Sequence, residues 1–413
     1  MDSISDLIIE VGYNKTASKN VKNSKYRSNL VKLYLFNFFI GFSLISGVLI
    51  PFYLLYGGFT LIEFIFLQSY YAIMVILFEI PCGVIADYFS KKTSLILASL
   101  SYLSIPFIYG IITSKIMFII GETLFAFSNA LISGSNEALV YDNLKQIGKE
   151  KYISKSIAKN DGMFLLGLII SAPLGSIIAE FTSIRIVVLL MIFPYLISTI
   201  ITITIHRINF KNNTNSSNLF ETLKSGFDEL KKNRILRILI FEKIIIEIII
   251  IFLVLTYQFY IMMEFNIPLF YFGFIDASIT VSQFTFLNLI PRLENGIENK
   301  RQLLFINTII PGVGYILIAI INFMPLILLL FLIVIGMGLS RYILFTNGIN
   351  KQIKKENRAT ILSTINVLSG ILKAILYPLI GLLIMININF LYMLFGVLIL
   401  IFALKSKIKE DYL

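Results

Sequence analysis

The chain has 413 residues, of which 57% are hydrophobic and only 14% are charged. This composition, with a mean hydropathy of +0.85, excludes an ordinary water-soluble protein. The net charge of +11 is common among proteins that bind nucleic acid. Here, however, the basic residues lie between long apolar runs, which excludes that class.

The chain divides into apolar runs of about 20 residues, the length needed to cross a bilayer as a helix. None of the runs shows the strict alternation of a transmembrane β-strand. We therefore expect an all-α membrane protein with twelve transmembrane helices, called spans 1 to 12, at 33–57, 61–86, 93–113, 116–140, 162–181, 186–205, 238–262, 267–290, 302–322, 325–345, 360–385 and 388–404.

Lysine and arginine are concentrated on one side of these spans. If the N-terminus is cytoplasmic, 30 of the 35 basic residues fall in cytoplasmic segments, and the outer loops hold only Lys115 and Arg185. Such an excess in short cytoplasmic loops sets the orientation of a membrane protein. We therefore expect a multi-pass protein of the cytoplasmic (inner) membrane with both termini in the cytoplasm.

This topology predicts how single introduced cysteines are labelled, with the native Cys82 replaced by serine. A cysteine at Gly58, in an outer loop, should react with a membrane-impermeant thiol reagent in intact cells. A cysteine at Asn213, in a cytoplasmic segment, should react only after the cells are opened. Labelling at Asn213 in intact cells, or none at Gly58, would contradict the topology.

The longest break between spans divides the chain into two halves of six helices. Within this linker, four apolar residues at helical spacing predict an amphipathic helix on the cytoplasmic surface: Phe220, Leu223, Phe227 and Leu230. The expected organisation is a cytoplasmic segment, a six-helix half, the linker, a second six-helix half and a cytoplasmic tail, at 1–32, 33–205, 206–237, 238–404 and 405–413.

Four spans carry polar residues along one helical face. Either these faces line a cavity for a substrate, or they hold the helices together through hydrogen bonds, and the two interpretations are compatible. The candidate residues are Glu122, Asn129, Ser133, Asn136 and Glu137 in span 4, Lys243, Glu247 and Gln258 in span 7, Asp276, Thr280 and Gln283 in span 8, and Asn366, Gly370, Lys373 and Tyr377 in span 11.

Carboxylates within the membrane can carry protons or attract a cationic substrate. Glu122 and Asp276 have no opposite charge one helical turn away, and we favour Glu122 as the proton carrier because its polar face is longer. Glu247 lies one turn from Lys243, which indicates an ion pair. Lys373 needs an anionic partner that the sequence does not identify.

The turn between spans 2 and 3 reads EIPCGVIADYFSKK, from Glu79 to Lys92. Glu79, Gly83 and Asp87 recur every four residues and so share one helical face. This segment resembles the loop signature of the major facilitator superfamily of secondary transporters, with departures at Tyr88 and Ser90. The resemblance implies the fold of that superfamily and a cytoplasmic latch between the halves formed by Glu79, Gly83, Asp87, Lys91, Lys92 and Asp142.

Two further segments, ISGSNEALVYDNLK (Ile132 to Lys145) and ENRATILS (Glu356 to Ser363), resemble a bacterial drug and antibiotic efflux branch of that superfamily. The resemblance implies a proton-coupled exporter of an amphiphilic small molecule or antibiotic, giving resistance or producer self-immunity, a peptide-type antibiotic being one candidate. The arginine that many antiporters carry early in span 4 is absent, since Glu122 is the only charged residue there.

Two other functions remain open: a proton-coupled importer of a nutrient such as a sugar or nucleoside, and a membrane lipid flippase. We expect no enzyme activity, cofactor or metal, because the chain has no phosphate-binding loop or nucleophile motif and only one cysteine and one histidine, Cys82 and His206. The expected partners are a small-molecule substrate, protons and membrane lipids, without nucleic acid, and the expected state is a monomer.

Overall fold

The computed structural model describes the backbone of residues 24–207, 219–296, 299–353 and 358–412. The side chains of Ile80, Asp87 and residues 219–224, 294–296 and 358–360 lie outside the described part. Most of the expected N-terminal segment, the polar stretch of the linker with Asn213, and the side chain of Asp87 are therefore not described.

Twelve long helices make up most of the described chain. Eleven of the described spans are long and apolar enough to cross a membrane, and α7 has 32 residues with Glu247 as the only charge between Ile244 and Ile261. The helices are α1 (24–41), α2 (Leu61–Tyr88), α3 (Lys91–Ile111), α4 (Lys115–Gln146), α5 (Ile153–Phe181), α6 (Ile184–Leu190 and Ile192–Thr204), α7 (Arg234–Phe265), α8 (Leu269–Gly296), α9 (Lys300–Ile320), α10 (Met324–Ser340 and Tyr342–Gln352), α11 (Arg358–Ile384) and α12 (Ile388–Lys405). The predicted all-α architecture of twelve spans is confirmed.

Span 1 continues beyond α1 as a broken segment, residues 42–56, called here the span-1 break. It consists of a 3-10 turn (Ser46–Val48), one α-helical turn (Leu49–Pro51) and a π turn (Phe52–Tyr56). A further helix, the linker helix (Leu219–Lys232), packs on α7 and α11. A helix is thus present where the sequence predicts an amphipathic one, and it is packed against the helical bundle.

Side-chain caps explain where many of the helices begin. In each case a serine, threonine or asparagine oxygen accepts the backbone N–H three residues later, which satisfies a donor that the first turn leaves free. The capping residues are Thr60, Ser90, Ser114, Ser183, Asn233, Asn299 and Asn387. These caps place most helix starts within four residues of the predicted spans.

Five of the described helices extend well past their predicted spans. α1 begins at residue 24 and α8 ends at Gly296. α4 continues to Gln146, α5 begins at Ile153 and α10 ends at Gln352. The apolar run ends where the bilayer ends, but a helix can continue into water because its backbone hydrogen bonds are internal.

The helix ends define two faces of the molecule. At the terminal face, where α1 begins and α12 ends, Lys32 Nζ donates to Thr204 O (2.5 Å) and Lys92 Nζ donates to Ile203 O (2.8 Å). At the opposite face, Arg185 Nε donates to Gly110 O (2.8 Å). Those basic residues of the predicted cytoplasmic segments that the structure describes belong to the terminal face.

The first six and last six helices meet along two pairs, α2 with α11 and α5 with α8. Ser69 Oγ of α2 donates to Ala374 O of α11 (2.6 Å), and Ser176 Oγ of α5 donates to Phe270 O of α8 (2.9 Å). Ser176 and Phe270 lie near the opposite-face ends of their helices, and Ser69 lies eight residues into α2. The halves are therefore closed towards the opposite face.

Candidate functional site

A cavity of about 350 Å³, called here the vestibule, lies between the halves. Its lining comes from α1, α4, α5, α8 and α10, and its polar members are Asn37, Ser133, Asn136, Glu137, Asp161, Gln283 and Tyr342. Glu137 and Asp161 are exposed and lie nine and eight residues from the terminal-face ends of α4 and α5. The vestibule therefore admits solvent from the terminal face.

Four of the sequence-predicted candidates line the vestibule: Ser133, Asn136, Glu137 and Gln283. The amides of α1 and α4 are joined there, since Asn136 Nδ2 donates to Asn37 Oδ1 (3.0 Å). Sequence reasoning missed Asn37, Asp161 and Tyr342. The signal for Asn37 was an amide within the apolar run of span 1, whereas Asp161 fell one residue before the predicted start of span 5.

On the opposite-face side, hydrogen bonds close the path between the halves. Gln258 of α7 donates through Nε2 to Ser46 O (2.9 Å), and its Oε1 accepts the Ile50 N–H (2.9 Å). Both partners are backbone groups that the span-1 break removes from a regular helix, and a buried backbone group must find another partner. We call this contact of Gln258 with Ser46 and Ile50 the gate.

A glycine, Gly47, allows the span-1 break to approach α5 and α8 closely beside the gate. A Cβ at Gly47 would overlap the carbonyl of Ala172 on α5 and lie 2.9 Å from Gly273 Cα on α8. Three backbones thus meet at Gly47, as small residues permit in packed membrane helices. The gate therefore lies where span 1, α5, α7 and α8 converge.

Asp276 of α8 is connected to the gate. Tyr257 Oη donates to Asp276 Oδ1 (2.5 Å) and accepts from Gln258 Nε2 (3.1 Å). A change at the Asp276 carboxylate therefore reaches Gln258 through one tyrosine. Of the candidate carboxylates among the described residues, only Asp276 has a hydrogen-bonded path to the gate.

Glu122 lies in a different environment, enclosed within the first six helices. It is 4% exposed, and its Oε1 accepts from the hydroxyls of Tyr53 and Tyr109. Asn129, two turns along α4, accepts from Tyr102 Oη (2.9 Å) and donates to Tyr71 Oη (2.9 Å). The polar face of α4 is thus divided between tyrosine contacts inside the half and the lining of the vestibule.

Glu247 joins two lysines within the last six helices. Lys373 Nζ lies 3.0 Å from Glu247 Oε1, and Lys243 Nζ lies 3.1 Å from Glu247 Oε2. The side chains are between 18% and 26% exposed. Glu247 is thus the partner of Lys373 that the sequence left unnamed, and the cluster carries a net charge of +1.

Removing the shared carboxylate should destabilise the protein more than removing one lysine. Glu247→Gln leaves two poorly solvated ammonium groups side by side, at a cost of roughly 2 kcal/mol after allowance for their partial exposure. Lys373→Met leaves the pair of Glu247 with Lys243 in place and should cost less. Thermal unfolding of both variants in detergent tests this, and equal losses would contradict the assignment of Glu247 as the shared partner.

The residues expected to form a cytoplasmic latch lie at the terminal face. Lys91 Nζ and Asp142 Oδ2 form an ion pair at 2.7 Å, which joins α3 to α4 within the first six helices. Lys92 contacts α6, Glu79 is half-buried, and Gly83 lies one turn further along α2. The ion pair differs from the expected link between halves, and the latch stays a prediction.

No group of three or more His, Cys, Asp or Glu side chains in the described ranges could hold a metal ion.

Comparison with known proteins gives one family and one fold. The model of the Major Facilitator Superfamily matches residues 33–377. Two solved structures of the nucleoside transporter NupG superimpose on the chain at 15% identity. The mutant structure gives a TM-score of 0.76 over 91% of this chain and 98% of that one. The other gives 0.72 over 93% and 99%.

At 15% identity these structures show a shared fold alone. No curated protein matches the chain. The comparisons therefore support the superfamily predicted from the turn after span 2, and they leave the efflux branch unsupported.

Proposed function

The chain belongs to the major facilitator superfamily, and we propose that it is a proton-coupled secondary transporter that imports a small polar solute of the nucleoside or sugar class. We further infer that it lies in the cytoplasmic membrane as a monomer with its terminal face in the cytoplasm. Membership of this family of carriers favours transport rather than an enzymatic reaction.

The polar lining of the vestibule is the observation that carries this proposal. Amide, hydroxyl and carboxylate groups from five helices converge there, and Asn136 Oδ1 is buried without a hydrogen-bond partner among the described residues. A site with such an unpaired acceptor selects solutes that can donate a hydrogen bond. A nucleoside or sugar fits this chemistry, and NupG, which shares the fold, is a nucleoside transporter.

Closure at one face and access at the other support a carrier that alternates between two states. The gate holds span 1 against α7, while Glu137 and Asp161 remain exposed in the vestibule. In the proposed cycle this conformation releases the solute to the cytoplasm. Breaking the gate and closing the vestibule at the terminal face would make the binding site accessible from the outside.

Export of a cationic amphiphile is the second candidate function. The lining contains two carboxylates, Glu137 and Asp161, and no lysine or arginine among the described residues. Such a site attracts positive charge. The two segments that resemble the efflux branch favour the same direction.

Uptake measurements in cells with and without the gene distinguish the two candidates. Import predicts a several-fold gain in the uptake of labelled nucleosides or sugars that a protonophore removes. Asn136→Ala should lower this uptake about tenfold, because it removes the unpaired amide oxygen. Asn288→Ala is the matched control, because among the described residues the Asn288 amide bonds only the Phe284 carbonyl of its own helix (2.8 Å). Unchanged uptake together with raised resistance to cationic drugs would favour export instead.

A further inference from the structure

A second cavity, called here the groove, lies between the linker helix, α7 and α11. Its volume is about 480 Å³, and it shares no lining residue with the vestibule. Its floor is apolar and consists of Phe227, Leu230, Ile238, Ile240, Phe241, Ile244, Leu368 and Leu372. Phe241 lies on a membrane helix and is 55% exposed, so the groove opens towards the bilayer.

Three basic residues lie at one end of the groove: Lys231, Arg234 and Arg237. All three are exposed, and none forms an ion pair with another described residue. The groove therefore combines an apolar floor with three basic side chains, and no acidic side chain is among its described lining residues.

The positions of these residues match the layers of a membrane. α7 begins at Arg234, so the basic end lies at the terminal face, where lipid headgroups lie. Ile244 is ten residues further along α7, which is about 15 Å deeper along the helix axis. Arg234, Arg237, Phe241 and Ile244 follow one another at intervals of three and four residues and so share one face of α7.

We propose that the groove binds one anionic phospholipid from the leaflet at the terminal face. Arg234 and Arg237 bind the phosphate, Lys231 adds a third positive charge, and an acyl chain lies along the apolar floor. Arginine suits this role because its planar guanidinium binds phosphate oxygens in pairs. A basic pocket between membrane helices is the arrangement that recognises such headgroups.

Bound lipid would connect the linker helix to the last six helices. Phe227, Leu230 and Lys231 belong to the linker helix, whereas Arg234 and Arg237 belong to α7 and Leu368 and Leu372 to α11. One lipid thus contacts three helices, including the segment that joins the halves. This site is independent of the transported solute.

Native mass spectrometry of the full-length purified protein tests the site, with phosphatidylglycerol and phosphatidylcholine of the same acyl chains as probes. The intact protein should retain phosphatidylglycerol in preference to phosphatidylcholine. Each basic residue near a membrane surface contributes about fivefold in affinity. Arg234→Gln with Arg237→Gln should therefore weaken phosphatidylglycerol binding about 25-fold, and Lys231→Gln alone about fivefold.

The control removes the same charge elsewhere on the terminal face, with Lys151→Gln and Lys155→Gln, both exposed beside the start of α5. It should leave binding unchanged. Equal losses in the two double variants, or equal retention of the two lipids by the intact protein, would overturn the proposal. Displacement of the lipid by soluble glycerol phosphate would also overturn it, because the apolar floor would then contribute nothing.

Discussion

Asp276→Asn should abolish accumulation of the solute against its gradient while leaving exchange of solute across the membrane. One pH unit corresponds to about 1.4 kcal/mol, so one proton per solute supports about tenfold accumulation. An asparagine cannot exchange a proton, so the ratio of inside to outside solute concentration should fall to about one. Exchange should persist because the vestibule does not contain Asp276.

The reason for choosing Asp276 is its contact with Tyr257, which also accepts from Gln258 of the gate. Protonation turns the Asp276 carboxylate from an acceptor into a donor. This change alters the hydrogen bond that Tyr257 Oη makes with Gln258 Nε2. The matched variant is Glu122→Gln, which alters a carboxylate enclosed in the other half. Accumulation that survives in Asp276→Asn and is lost in Glu122→Gln would return the role to Glu122, as the sequence favoured.

Gly47→Ala should prevent closure of the gate and reduce transport on the order of tenfold or more. The added methyl group overlaps the Ala172 carbonyl, and α5 and α8 offer only backbone there. Overpacking of this kind costs about 1–3 kcal/mol. Because the overlap exists only when span 1 meets α5 and α8, the cost falls on the closed gate and not on the open one.

Gly134→Ala is the control, because a Cβ at Gly134 would have no described atom within 4 Å apart from its chain neighbours and the backbone of its own helix. Transport by the two variants should be compared at equal amounts of folded protein. A cysteine at Ser46 should become reactive from the opposite face in Gly47→Ala and stay protected in Gly134→Ala. Normal transport by Gly47→Ala would show that the gate does not close at this point.

The twelve helices were predictable from sequence because the length of an apolar run and the residue that caps a helix are local features of the chain. A bilayer demands about 20 apolar residues per helix, and the caps at Thr60, Ser114 and Asn233 mark where helices begin. The span-1 break was not predictable. Its freed backbone groups are stabilised by Gln258, more than 200 residues away, and by the close approach of Gly47 to α5 and α8.

The candidate site was predicted in part. The polar face of α4 was visible in the sequence, but helical spacing does not say how deep a residue lies relative to the gate. Glu122 and Asn129 therefore contact tyrosines, whereas Ser133 and Asn136 line the vestibule. Lys373 required a partner, and only the packing of α11 against α7 identifies Glu247.

The most direct test of proton-coupled transport measures proton movement driven by the solute alone. The purified protein is placed in liposomes that hold a trapped pH-sensitive dye, and a nucleoside or sugar is added outside without any imposed pH gradient. Coupled import predicts that the interior acidifies as the solute enters, in the same direction for either orientation of the protein, and that Asp276→Asn abolishes the signal. Solute entry without acidification, or with alkalinisation, would contradict import coupled to protons.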